Sequence, residues 1–159
     1  MFIKPRKLSA GDRVATISLS GGSAGEADMH WRYEIAKACR QNNAQLIISH
    51  HEFKKQLAKR DMLDICNNAF AAGANIAKIA VAAHSSEDVC NILSTIEYFK
   101  AQNKSIIGIA MGKLGTMTRV LGPQLGAYLT YAALDKGKES ADGQLTVEEL
   151  KTVMGILRI

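Results

Sequence analysis

The sequence predicts an α/β fold: a five-stranded parallel sheet with helices on both faces. Three observations predict it. Apolar, β-branched runs alternate along the chain with stretches whose apolar residues recur at helical spacing. The runs are apolar almost throughout, which is the mark of strands buried on both faces, as in parallel sheets. The 159 residues, 47% of them hydrophobic and 22% charged, suffice for one domain with a proper core.

Taken in order, the first strand is read in "RVATISLS" (13–20), which runs into a glycine loop. "ADMHWRYEIAKACRQ" has neither Pro nor Gly, and a helix is expected from about Ala27 to Gln41. "AQLIISHH" (44–51) is the second strand, "NIAKIAVAA" (75–83) the third and "SIIGIAMG" (105–112) the fourth. "GAYLTYAAL" (126–134), with a weaker pattern, is the fifth. Between the second and third strands, Leu63, Cys66 and Phe70 mark an apolar stripe that Gly73 ends. Val89, Ile92, Leu93, Ile96 and Phe99 form the next stripe, on a helix capped by Ser85 with Asp88 three residues on. Thr146 with Glu149 opens the last helix, whose buried face is read as Leu150, Val153, Met154 and Leu157. This βαβα order calls for right-handed crossovers in one parallel sheet, and for a single domain over residues 1–159.

Composition narrows the function classes. No apolar run is long enough to span a bilayer, and the basic N-terminus lacks the apolar stretch of a secretory signal. Cys39, Cys66 and Cys90 are odd in number and widely spaced, as expected of reduced thiols in a cytoplasmic protein rather than of disulfides or a zinc site. The net charge is +5, but the 20 Lys and Arg are scattered with few aromatics beside them. That argues against nucleic-acid or membrane partners and for weak binding of an anionic small molecule.

Several residues stand out chemically. "SGGSAGE" (20–26) lies where backbone amides cradle phosphate, but its spacing is GG-x-x-G, and a plain turn explains it. "KESADGQLTVEE" (138–149) imitates a calcium loop. Lys138 at the first ligand position defeats it, because calcium needs oxygen donors there. No metal or cofactor is expected. His50 and His51 end the second strand, either as polar punctuation or as an imidazole at the strand mouth where α/β proteins keep their chemistry. Lys78 lies inside an apolar strand. It either snorkels from an edge or is desolvated, which depresses its pKa and makes it a nucleophile for carbonyls. Arg119, after the fourth strand, suits a bidentate carboxylate.

Together these residues resemble a known family. "SHHEF" resembles the S-x-H-x-F strand end of type I 3-dehydroquinate dehydratase, and "AKIAV" its Schiff-base lysine strand. "MGKLGTMTRVLG" resembles its arginine loop and "SADGQ" its closing S-x-x-G-Q loop. The resemblance implies that Lys78 forms an imine, His51 is the general acid/base and Arg119 clamps the substrate carboxylate. It also implies that Ser140 and Gln144 contact substrate and that Met111 is a pocket wall. The family is an eight-stranded barrel, and the matched motifs cover its strands five to eight.

Residues 1–38, "IKPRKLSAGDRVATISLSGGSAGE…WRYEIAKA", instead resemble the opening βα unit of the LD-carboxypeptidase family of serine peptidases. A peptidase-like unit (1–38) joined to a half-barrel (39–159) reads as a constructed chimera. On that reading the chain is an engineered α/β scaffold from fragment recombination, with no evolved catalytic function and not an enzyme. The alternative is residual dehydratase (lyase) chemistry through Lys78 and His51. Five βα units suggest an open, flavodoxin-like sheet. The other architecture is a half-barrel with one added βα unit, and its exposed edges allow a homodimer as well as a monomer.

Overall fold

The computed structural model describes residues 37–158 and, as backbone, the strand at 14–19. The glycine loop at 20–26 and the 27–36 part of the expected helix lie outside the described residues. Residues 37–41 are helical, as expected of the end of that helix.

Four strands form one parallel sheet: β1 (Val14–Leu19), β2 (Gln45–Glu52), β3 (Ile76–Ala82) and β4 (Ser105–Met111). Helix α1 (Lys59–Ala71) connects β2 to β3, and α2 (Ser86–Ala101) connects β3 to β4. A short 3-10 turn (Lys113–Gly115), α3 (Thr116–Leu121) and α4 (Val147–Ile156) follow β4.

The sheet order is β1-β2-β3-β4, in sequence. This corrects the flavodoxin-like expectation. Helices reach both faces of an open sheet only when the strand order reverses, because each right-handed crossover then lies on the side its direction dictates. Here every step goes the same way, so the crossover helices share one face, as they do around a barrel. Leu46, Ile48, Ala77, Ile79, Val81, Ile106 and Ala110 line that face. Met62, Cys66, Val89, Ile92, Ile96 and Phe99 of α1 and α2 pack on it. Ile47, Ile76, Ala80, Ile107 and Ile109 line the other face, with Met111 and Leu129 against them and no helix of the described residues among them.

The expected fifth strand is not a strand. Within 126–134 the structure has one isolated parallel bridge, Ala133 to Thr146, and one amide bond toward β4, from Tyr128 N–H to the Ile106 carbonyl. Gly126 introduces the segment at φ +102°, with the Lys100 side chain where a Cβ would stand, and turns it away from a ladder.

The helix ends follow from the sequence. Ser85 and Asp88 form a reciprocal capping box on α2, and Thr146 and Glu149 form one on α4. Burial pushes the Asp88 carboxyl up, but hydrogen bonds from the His84 and Ser85 amides outweigh it and leave its pKa low. Past α1, Gly73 takes φ +96° and its amide donates to the Phe70 carbonyl. The buried stripe of α1 is Met62, Cys66 and Ala69, with Leu63 and Phe70 at its margin. On α4, Leu150 and Met154 are buried with Val153 beside them. Leu157, expected on that face, is exposed because the helix stops at Ile156.

Candidate active site

Ser49, Lys78 and Ile107 are register partners across β2, β3 and β4; His51, Ala80 and Ile109 form the next row. Side chains in one row share a face. The period of two therefore brings His51, near the C-terminal end of β2, and Lys78, within β3, to the helix-free face. His50 faces the opposite way, in the row of Ile79.

The two site residues touch. Lys78 Nζ lies 3.1 Å from His51 Nε2, and Ser49 Oγ lies 3.0 Å from the same nitrogen. Phe53 packs edge-on against the imidazole, with ring centroids 6.0 Å apart. Lys78 Nζ also stands 5.2 Å from the centroid of the Tyr131 ring.

Electrostatics favour the neutral bases. Burial lowers the Lys78 pKa, and the like charge of Arg119 lowers it further. Burial also lowers that of His51, helped by Lys78 and His50. Lowered pKa values enlarge the neutral fraction of each base, and a neutral amine and imidazole at hydrogen-bond distance can attack a carbonyl and move a proton.

Arg119 sits in the last turn of α3 and is only 2% exposed. Its Nε has no hydrogen-bond partner, and no carboxylate pairs with it among the described residues. A buried guanidinium without a counter-ion is costly, and a ligand anion would relieve it.

The loop after the Ala133 bridge closes the site. The Ser140 amide donates to Gln144 Oε1 at 2.7 Å, and the Ser140 hydroxyl lies 3.2 Å from it. Three contacts weld the loop's far end to the exit of β4. The Gly112 amide donates to the Asp142 carbonyl, and Thr116 Oγ1 donates to the Gly143 carbonyl. Gly143, at φ +74°, lies so close to the Gly112 carbonyl that a Cβ would collide with it. In place of calcium ligation, Asp142 serves this weld and Glu149 caps α4.

A cavity of about 240 Å³ gathers these groups. All six residues singled out in the sequence line it: His51, Lys78, Met111, Arg119, Ser140 and Gln144. Its lining holds no Asp or Glu among the described residues. Tyr131 went unrecognised because it lies in the irregular 126–134 segment, where no period assigns a side chain to a face. The parity of Ala80 and Ile109 with Lys78 was available from strand alternation.

The chain matches the profile of the family described as type I 3-dehydroquinase over residues 26–159. It belongs to that family. The 3-dehydroquinate dehydratase of Methanosarcina acetivorans is 39% identical over 153 residues, covering 91% of this chain and 62% of that protein. The one from Methanosarcina mazei is 37% identical over 158 residues, covering 99% of this chain and 63% of that protein. The chain thus spans a little under two thirds of the length of these relatives. Among solved structures, 3-dehydroquinate dehydratase from Geobacillus kaustophilus superposes with a TM-score of 0.79 at 29% identity, over 94% of this chain and 55% of that one. The type I enzyme from Clostridium difficile, solved with covalently modified comenic acid, gives 0.75 at 27% identity, over 91% of this chain and 54% of that one.

These findings overturn the chimera reading. The family match begins at residue 26, before the supposed junction near 39, and the M. mazei alignment runs through nearly the whole chain. One dehydroquinase lineage accounts for both segments, with no peptidase portion and no engineered scaffold. A strand, a glycine turn and a helix recur throughout α/β proteins, which is why the N-terminal likeness misled. No helix among the described residues is long and apolar enough to cross a membrane.

Proposed function

We propose that this chain carries out its family's lyase chemistry: dehydration of 3-dehydroquinate through a Schiff base on Lys78. The observation that carries the reading is the 3.1 Å contact between Lys78 Nζ and His51 Nε2 in a cavity that Arg119 makes attractive to a carboxylate.

Neutral Lys78 attacks the substrate ketone, and loss of water gives an iminium. The iminium acidifies the adjacent carbon. His51 takes that proton and returns one to the departing hydroxyl, so that H and OH leave as water. A second water hydrolyses the product imine and frees Lys78, balancing the water lost when the imine formed. Arg119 holds the carboxylate as a bidentate partner. Ser140 and Gln144 grip the substrate from the loop, and Met111 forms a wall. No cofactor or metal is required.

The test is borohydride reduction in the presence of dehydroquinate, with mass spectrometry of the protein, and an absorbance assay for dehydroshikimate. The expected results are one covalent adduct that Lys78→Ala removes, and turnover that both Lys78→Ala and His51→Ala abolish. Absence of an adduct from the parent protein would sink the reading.

A further inference from the structure

We infer that the face of the Tyr131 ring is an electrostatic wall for the Lys78 nitrogen, holding it while it is cationic, first as ammonium and then as iminium. The cavity contains three basic side chains, His51, Lys78 and Arg119, and no Asp or Glu among the described residues. Among the described residues the Lys78 ammonium therefore has no carboxylate counter-ion there, and Arg119 repels it. What it has is the aromatic face, with Nζ 5.2 Å from the ring centroid. That is within the roughly 6 Å over which the negative face of an aromatic quadrupole attracts a cation.

An aromatic face does here what a carboxylate could not. It stabilises positive charge without accepting a proton, so it does not compete with His51 as a base. It carries no net charge, so it does not repel an anionic substrate from Arg119. Burial pushes the Tyr131 hydroxyl pKa up, so the ring stays neutral. The ring is held from its own segment: two residues on, Ala133 bridges to Thr146 at the start of α4. The nitrogen that forms the iminium is the nitrogen already over the ring, so condensation with the ketone, with loss of one water, leaves the contact in place. The iminium half of this inference rests on the proposed Schiff base; the ammonium half does not.

The test uses the full chain with Tyr131→Phe, then phenylalanine analogues at position 131 carrying one, three and five ring fluorines. The shape is nearly constant while the quadrupole weakens and reverses. Without substrate, the Lys78 titration is followed by NMR of its labelled ε-carbon, assigned with Lys78→Arg. Tyr131→Phe is expected to leave the midpoint in place, and fluorination to lower it progressively by about 0.5–1.5 units, roughly 3- to 30-fold in proton affinity. A flat series overturns the inference. Borohydride trapping with dehydroquinate across the same series should yield less adduct as fluorine is added. A flat titration with adduct still formed overturns this inference and leaves the proposed function standing. No adduct even from the parent protein removes the proposed function and the iminium half together, while the titration still decides the ammonium half.

Discussion

Ser49 and Lys78 stand opposite one another in the β2–β3 ladder, and both reach Nε2 of His51, at 3.0 and 3.1 Å. One ring nitrogen can make one strong hydrogen bond at a time. If Lys78 is consumed as an imine, as proposed, the Ser49 hydroxyl remains to hold the imidazole. Ser49→Ala is expected to lower kcat about two- to tenfold, the worth of one net hydrogen bond, with KM unchanged. Steady-state kinetics check it, and a change confined to KM would contradict it.

The two histidines set an acid limit on stability. Burial holds both pKa values below the ordinary 6.5, with Glu52 partly opposing it at His50. In the window between the folded values and 6.5, the unfolded chain binds more protons, so stability rises with pH there and falls on acidification. The carboxylate of Asp88, depressed below 3.8, contributes stability that is lost only at lower pH. The melting temperature should therefore drop as pH falls below about 6.5, and the combined His50→Gln and His51→Gln change should flatten that drop. Melts at pH 5 and pH 7 decide it.

The proposed carboxylate clamp makes Arg119 a trade of stability for binding. It is buried with no counter-ion among the described residues, so Arg119→Met should stabilise the fold by about 1–2 kcal/mol in chemical denaturation while abolishing dehydroquinate binding. Removing its like charge should also raise the Lys78 pKa toward its ordinary value, which titration of Lys78 without substrate would read as a midpoint at higher pH. Destabilisation by this substitution would mean that the guanidinium is paired after all.

Gly108 on β4 leaves room for Ile96. A Cβ at Gly108 would lie 2.7 Å from Ile96 Cγ1 and 3.0 Å from its Cδ1, in fully buried packing between α2 and the sheet. Gly108→Ala should cost about 1–3 kcal/mol by overpacking. Ile96→Val in the same chain should recover part of that cost, and a double-mutant cycle measures the coupling.

The sequence exposed the local features and concealed the long-range ones. Ser85–Asp88 and Thr146–Glu149 were readable as caps because a capping box is a matter of four consecutive residues. The pairing of Lys78 with His51 was legible because each is a polar exception in a strand and because motif spacing ties them together. The strand order was not legible. The same β2, β3 and β4 patterns suit an open sheet or a barrel, and only the direction in which each crossover steps separates the two. The complete burial of Arg119 and the approach of Tyr131 to Lys78 are products of tertiary packing that no local period encodes.

The weld at Gly143 leaves the Ser140 loop with one fixed end and one adjustable end. Gly137, at φ +80°, has nothing within 4 Å of where a Cβ would stand, and residues 134–140 are exposed. Insertions and deletions should therefore be absorbed between Asp135 and Glu139, where they alter how far Ser140 reaches over the cavity. A single residue added between Asp142 and Thr146 would break the seam with Gly112 and Thr116. Length variation confined to residues 135–139 should then keep the seam closed, whereas a library that also varies 142–146 should lose folded members to a broken seam.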